Sequence, residues 1–332
     1  MAAPQVHCLG RSRSLKMAPY IIRRIAGAFP VVLLVLVLNF LILHLAPGDP
    51  VFIFIQGGGE VTEEYVQQIR ERLGLDKPLA EQFFIFIGNV FKGNLGFSHF
   101  YQQPVIKVIF ERIGRTFLLV GLAILFAAIL GISLGVLAAS YPYSPIDYTN
   151  TVIAVFGYSI PTFWFGQLLI LIFGVFLRVL PVGGVPIIRR GLLDWASHLV
   201  LPVTCLGVYQ LALIARLTRA NMREVLNMDY VMVARAKGLK EGSVILKHAL
   251  RNASLPVVTA IGLNFASLLT GAVVTETVFG WPGLGRLMFE SLYRRDYPVL
   301  LGLLIIMSIG VVIINLLVDV LYALLDPRIH YD

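Results

Sequence analysis

Six apolar stretches, at roughly residues 29–46, 116–139, 151–177, 198–215, 255–279 and 299–325, constrain this chain more than any other feature in it. A helix of about 20 residues, rising about 1.5 Å per residue, crosses the hydrocarbon layer of a bilayer and satisfies its own backbone hydrogen bonds as it does so. One soluble core cannot absorb six such stretches: 58% of the 332 residues are hydrophobic, only 14% are charged, and the mean hydropathy is +0.82. The period-2 alternation of an outer-membrane barrel is absent. The expectation is an all-α integral membrane protein with six transmembrane helices. Arg23 and Arg24 precede the first stretch as they would in an export signal. That stretch is longer than a signal's apolar core, however, and Pro47 follows Ala46, so it reads as a retained anchor. Cys8 and Cys205 fall at different expected depths and predict no disulfide.

An even number of spans puts both termini on one side. If that side is the cytoplasm, residues 1–28, 141–147, 216–254 and 326–332 lie inside and carry 14 Lys and Arg, against six in the two short outer loops. Cytoplasmic loops of membrane proteins carry such an excess. Residues 47–115 then form a large extracytoplasmic loop with seven basic and eight acidic residues, too long to weigh in the orientation. Within it Val61, Tyr65, Ile69 and Leu73, and then Phe83, Phe84 and Ile87, recur at helical spacing and predict short helices. Residues 116–325 form the remaining five-helix core. Pro161 and Pro202 predict kinks in the third and fourth spans. Gly131 and Gly135 form a GxxxG pair that permits close helix approach.

The stretch DYVMVARAKGLKEGSVILKHALRNA, residues 229–253, is basic and lies between two apolar runs. Asn227 is expected to cap a short helix with Asp229 in its first turn and Gly238 at its end, and a second helix is expected from Ser243 through Ile245, Leu246, Ala249 and Leu250. Ala234 and Ala236 leave room for a partner, while Arg235, Lys237 and Lys240 stay solvated or pair with acids. Charge pattern alone leaves two readings open: a rigid contact with a moving partner, or an interfacial hairpin on anionic lipid. No recognised fold or aromatic platform for nucleic acid accompanies the charges.

The chain lacks GxxxxGK[ST], so no ATP hydrolysis is expected on it. Neither His99 nor His198 belongs to a cluster with metal-ligand spacing, and Ser98 and His99, as neighbours, cannot face each other; no catalytic residue, cofactor or metal is expected. Ser159, Thr162, Gln167, Tyr209, Gln210, Asn264, Ser267, Thr270 and Asn315 are polar at membrane depth and are candidates to line a cargo path, although each is equally readable as helix–helix glue. Glu276, near an outer helix end, is a candidate for an outer gate, a binding-protein contact or a local hydrogen bond. Asp319 has no basic partner nearby in the sequence.

Tyr230, the run Ala234 to Gly238, the run His248 to Ala253, and Leu255-Pro256 together resemble the coupling loop of bacterial importer permeases of the ATP-binding-cassette class, in the dipeptide, oligopeptide and nickel branch. The wider class carries a Glu-Ala-Ala triplet, but here Met232 and Val233 hold its first two places and Arg251 stands where a proline is usual. Other landmarks resemble the same branch: APGDP at 46–50, RLGLDKPL, GNLGFS, SIPTF at 159–163, LPVGG at 180–184, GAVVTETVFGWPGLGRL and RRDYPVLLG. The likeness runs from about residue 20 to the end and leaves the first nineteen residues unexplained.

The resemblance implies a type I importer permease in the bacterial cytoplasmic (inner) membrane, with both termini cytoplasmic. It implies as partners a homologous second permease, two ATPase subunits holding ATP and Mg, an extracytoplasmic solute-binding protein, peptide or peptide-like cargo, and membrane lipids. Tyr230, Ala234, Arg235, Ala236, Lys237 and Gly238 would dock the ATPase. The implied cargo is a di- or oligopeptide, with nickel chelates or glutathione as alternatives for the same machinery. An ion-coupled secondary transporter would show inverted repeats, which are not evident. A noncatalytic membrane scaffold would use the basic segment for assembly alone.

Overall fold

The computed structural model describes residues 11–45, 63–64, 67, 70–71, 75–98, 100–184 and 191–325. In chain order the regular elements are α1 (Arg11–Leu45), α2 (Leu79–Phe91), β1 (Phe97–Ser98), β2 (Gln103–Pro104), α3 (Val105–Ser140), α4 (Pro145–Ser159), α5 (Thr162–Leu169), α6 (Leu192–Leu226), α7 (Asp229–Ala236), α8 (Leu250–Val278), α9 (Leu284–Arg294) and α10 (Tyr297–Leu325). Wider π-type turns at Ile170–Phe176 extend α5, and others at Val244–Ala249 lead into α8.

Arg23–Ile42, Val105–Ser140, Leu193–Leu226 and Tyr297–Val320 are long and apolar enough to cross a membrane. Two bent helix pairs meet the same measure only when each is taken as one span: Pro145–Ser159 with Thr162–Phe176, at 110°, and Glu241–Phe265 with Ser267–Val278, at 43°. The sharper bend falls at Ile160-Pro161, where Ile160 adopts extended angles (φ −86°, ψ 125°). A residue before proline is pushed out of the helical region, and proline has no N–H to continue the ladder. Pro202, by contrast, lies inside α6 without interrupting it.

The chain divides into two compact units, residues 1–109 with 291–332, and residues 110–290. In the first, α1 packs along α10. Arg24 reaches Asp319 at 2.9 Å, so the acid that lacked a sequence neighbour has a partner on a helix almost the whole chain away. The hairpin of β1 and β2, which the hydrophobic spacing did not predict, pairs Phe97 with Pro104 and Ser98 with Gln103. The buried Ser98 hydroxyl donates to Asp296 at 2.5 Å and its oxygen accepts from the Tyr101 N–H at 3.1 Å.

In the second unit α6 packs against α4 and α8. Gly131 and Gly135 of α3 abut it: a Cβ on Gly135 would sit 2.5 Å from the Thr218 Cβ and 2.7 Å from the Ala215 carbonyl, and one on Gly131 would sit 2.9 Å from Ile214. The GxxxG pair therefore seats α3 on α6. Gly157 of α4 meets the same helix, with a Cβ there 2.6 Å from Ala212. Ser144 caps α4 ahead of Pro145, and the buried Asp147 carboxylate takes a two-pronged bond from Arg219 of α6 and the Tyr143 N–H at 3.0 Å.

Candidate functional site

Residues 229–253 fold as α7, a turn at Gly238, a short helical turn at Glu241–Ser243 and the π-type turns that open α8. Asn227 does not cap α7. It ends α6, where its side-chain amide donates to the Arg223 carbonyl at 2.9 Å, and Met228 takes the capping position without a side-chain bond. The following helical turn begins at Glu241, ahead of Ser243. Gly238 holds φ +75°, a left-handed value that other residues adopt at a cost, and it ends α7 as its position implied.

A buried apolar cluster holds this segment. Val231 and Ala234 of α7, together with Val244, Ala249 and Ala253, pack on Val136 and Ala139 of α3 and on Met222 and Val225 of α6. Ala234 is only 6% exposed, so its small side chain seats α7 on its own subunit and does not lie open to a partner, contrary to the expectation from sequence. The outward face is different: Tyr230, Met232, Val233, Arg235, Ala236, Lys237, Gly238 and Leu239 are all exposed. Met232 and Val233, each 52% exposed, are apolar side chains on the outward face, at the two positions where the sequence departs from the wider class's triplet. The signal was available, because Val231 and Ala234 at helical spacing turn inward and leave 232 and 233 pointing away.

Arg235 closes the segment on itself. Its Nη2 lies 2.7 Å from Glu241 Oε1, and its Nε reaches both carboxylate oxygens at 3.2 Å. Those hydrogen bonds hold the Arg235 guanidinium above its ordinary pKa. Both groups are well exposed, so the pair adds little stability but fixes the shape of the Gly238 turn. The Tyr230 hydroxyl accepts from the Asn252 amide at 2.8 Å, tying α7 to the start of α8. Lys237 projects from the exposed tip.

At the other end of α8, the fully buried Glu276 is enclosed. One carboxylate oxygen accepts from the Thr116 hydroxyl at 2.6 Å, and the other from the N–H groups of Gly285 at 2.7 Å and Arg286 at 3.2 Å. Thr116 in turn accepts from the Leu284 N–H at 2.8 Å. A carboxylate at the first turn of α9 meets unpaired N–H groups and the positive end of the helix dipole. The glycines of FGWPGLG follow from this geometry. A Cβ on Gly283 would collide with the Glu276 carboxylate, and one on Gly285 with the Val273 backbone. Trp281 donates to the Arg115 carbonyl at 3.1 Å, and Gly184 of the LPVGG stretch donates to Phe279 at 2.8 Å. Two sequence motifs thus converge on one end of α8.

The candidate path residues are dispersed. Thr162 and Tyr209 come together around a cavity of about 270 Å³ beside the Ile160-Pro161 break, with Phe156, Phe165 and Cys205. The Cys205 thiol donates to the Thr162 carbonyl at 3.3 Å. Tyr209 meets Tyr158 edge-on at 4.8 Å, and Arg216 lies over the Tyr158 ring at 5.1 Å. Ser159 and Gln167 are exposed and Gln210 is buried. Asn264 donates to the Ala260 carbonyl at 2.8 Å and Ser267 to the Asn264 carbonyl at 2.7 Å, within their own helix. The Thr270 side chain and all of His99 lie outside the described residues.

Residues 131–331 match the family described as the binding-protein-dependent transport system inner membrane component, and residues 17–120 match the N-terminal region of such components. The chain is 42% identical over 318 residues to the oligopeptide transport system permease protein AppB of Bacillus subtilis, covering 95% of this chain and 100% of that protein. It is 41% identical over 338 aligned positions to the dipeptide transport system permease protein DppB of Escherichia coli, covering 95% and 99%. It is 43% identical over 315 residues to the glutathione transport system permease protein GsiC of Pectobacterium atrosepticum, covering 95% and 100%. A chain of the inward-facing MetNI methionine ABC transporter shares the fold, with a TM-score of 0.53 at 19% identity over 67% of this chain and 97% of that one. The chain belongs to the family of multi-pass inner-membrane permease components of binding-protein-dependent ABC importers, in its peptide-type branch.

Proposed function

We propose that this chain is one transmembrane half of an ATP-driven importer for di- or oligopeptides. It takes cargo from an extracytoplasmic solute-binding protein and passes it along a path shared with a homologous second permease. Both termini and residues 216–254 face the cytoplasm, as the distribution of Lys and Arg favours. ATP and Mg are held and ATP is hydrolysed by two separate ATPase subunits. Identity above 40% to oligopeptide and dipeptide permeases over nearly the whole chain supports the cargo class.

The observation that carries the mechanism is the two-sidedness of α7. Its inner face is locked into the cluster shared with α3 and α6, while its outer face offers Tyr230, Met232, Val233, Arg235, Ala236, Lys237 and the Gly238 turn. An element packed this way moves α3 and α6 when a partner moves it; a compliant loop would absorb the displacement. Ala234 serves on the inner side of that contact. Ser159, Thr162, Gln167, Tyr209, Gln210, Asn264, Ser267 and Thr270 remain the proposed path, with Thr162 and Tyr209 at its best-formed cavity. Glu276 acts at the outer gate as an internal strut.

The test is reconstitution with both permeases, the ATPases and the binding protein. Gly238→Trp adds a bulky side chain at the tip of the turn, where a Cβ meets nothing within 4 Å and the φ of +75° adds only local strain. It should leave abundance in the membrane near normal and abolish both uptake and transport-stimulated ATPase activity. Normal uptake at normal abundance refutes the docking assignment. Glutathione is the second reading, favoured by the 43% identity to a glutathione permease. Mass spectrometry of the ligand carried by the co-purified binding protein separates the two.

A further inference from the structure

Three side chains of α4 and α6 form a ladder at the cavity beside the Ile160-Pro161 break. Tyr209 lines that cavity, the Tyr158 ring meets Tyr209 edge-on at 4.8 Å, and the Arg216 guanidinium lies over the Tyr158 ring at 5.1 Å. We propose that Arg216 binds the C-terminal carboxylate of peptide cargo as it leaves this cavity toward the cytoplasm, and so sets a preference for peptides that end in a free acid. This inference rests on the peptide-import reading and adds to it the chemical group of the cargo that the path recognises.

Tyr209 and Arg216 stand two turns apart on α6, so they share a face over about 10 Å. Both are exposed, whereas Leu211, Ala212, Ile214 and Ala215 between them are buried in the bundle. An ionisable side chain on a spanning helix is paired or faces an aqueous cavity, because lipid is a costly neighbour for it. Arg219, three residues on, is paired with Asp147. Arg216 has no carboxylate within ion-pair distance among the described residues, and the Tyr158 ring is the group that holds it. A guanidinium laid over a ring keeps its fork of N–H donors for a planar anion, and a carboxylate fits that fork through two parallel bonds. Much of the cavity wall is apolar, with Ile153, Phe156, Phe165 and Val208, and such a wall accepts cargo side chains of many shapes. The terminal carboxylate is the anion that every peptide with a free C-terminus carries, whatever its sequence. One cation beside an apolar chamber therefore selects for the class and not for the sequence.

The experiment is uptake by proteoliposomes that hold the whole importer. One peptide is offered as the free acid and as its C-terminal amide, and each rate is divided by the binding-protein occupancy measured with the same form. The wild type should import the free acid roughly tenfold faster, close to what one hydrogen bond to a charged group contributes. Arg216→Gln should bring the free acid down to the rate of the amide and leave the amide unchanged. Arg216→Lys keeps the charge without the fork and should keep a preference of roughly threefold. Arg223→Gln removes a second arginine that lies over a tyrosine ring, two turns farther along α6, and should leave the tenfold preference intact. Equal rates for the two forms in the wild type overturn the proposal, and so does a preference that survives Arg216→Gln. A loss of both forms alike in the Gln and Lys variants also overturns it, by assigning Arg216 to a lipid headgroup, to an acid of the second permease or to the fold. Uptake of neither form by the wild type defeats the import reading itself and this proposal with it.

Discussion

Glu276→Ala is the most informative single change, because its cost is readable from the contacts. The substitution removes the acceptor for the Thr116 hydroxyl, 2.6 Å away, and for the N–H groups of Gly285 and Arg286 at 2.7 and 3.2 Å. A hydrogen bond to a charged group contributes about 1.5–3 kcal/mol, and a buried donor left unpaired costs about 1–3 kcal/mol. Counting only the two fully buried donors gives a loss of about 3–6 kcal/mol, overlapping the range of about 3–5 kcal/mol seen when one side of a buried charged pair is deleted. Glu276→Gln keeps an oxygen for the Gly285 N–H and should cost about 1–2 kcal/mol. Gly283→Ala drives a methyl group into the carboxylate, so it should destabilise the wild type by more than about 1 kcal/mol but add little once Glu276 is already Ala. Stability is measured on the purified complex by heating it with a thiol-reactive fluorophore in a Cys8→Ser background, since the buried Cys205 reports opening. A Glu276→Ala variant within about 0.5 kcal/mol of its parent, or strict additivity with Gly283→Ala, refutes the reasoning.

Other positions carry narrower tests. Met232→Asp with Val233→Asp alters only the exposed face of α7, so abundance should hold while co-purification of the ATPase subunits falls at least about tenfold, equivalent to about 1.4 kcal/mol. Asp147→Ala leaves the partly exposed Arg219 unpaired and should cost about 1–3 kcal/mol in the same heating assay, with Arg219→Ala in the Asp147→Ala background restoring part of it. Gly135→Leu has no room against Thr218 and Ala215, so membrane abundance should collapse, whereas Gly121→Leu, with nothing within 4 Å, should be tolerated.

What the sequence reveals here, and what it hides, divides along the range of the interactions. The spans come from burial in lipid, a property each segment carries by itself, so the apolar runs are legible in the sequence, and the structure holds four long apolar helices and two bent pairs that bring the count to six where each pair is one span. The Pro161 break was equally local, since one proline decides it. The contacts that define the sites are not local. Asp319 seemed isolated because Arg24 lies on a helix almost the whole chain away, and Glu276 seemed an open candidate because Thr116 and the FGWPGLG glycines close on it only when three segments meet. In α7 the motif itself misled: a small residue reads as room for a partner, yet Ala234 turns inward with Val231, and the neighbours dismissed as departures form the outer surface. Conformity to a motif and contact with a partner are different properties. A residue fixed by its own fold is constrained in type for packing, while one that meets a partner is constrained by that partner's surface, which this sequence does not contain. The face of α7 that varies from the wider class, at Met232 and Val233, is therefore where specificity for one ATPase over another should reside, and exchanging those two residues between peptide-type permeases should exchange their ATPase preference without altering cargo.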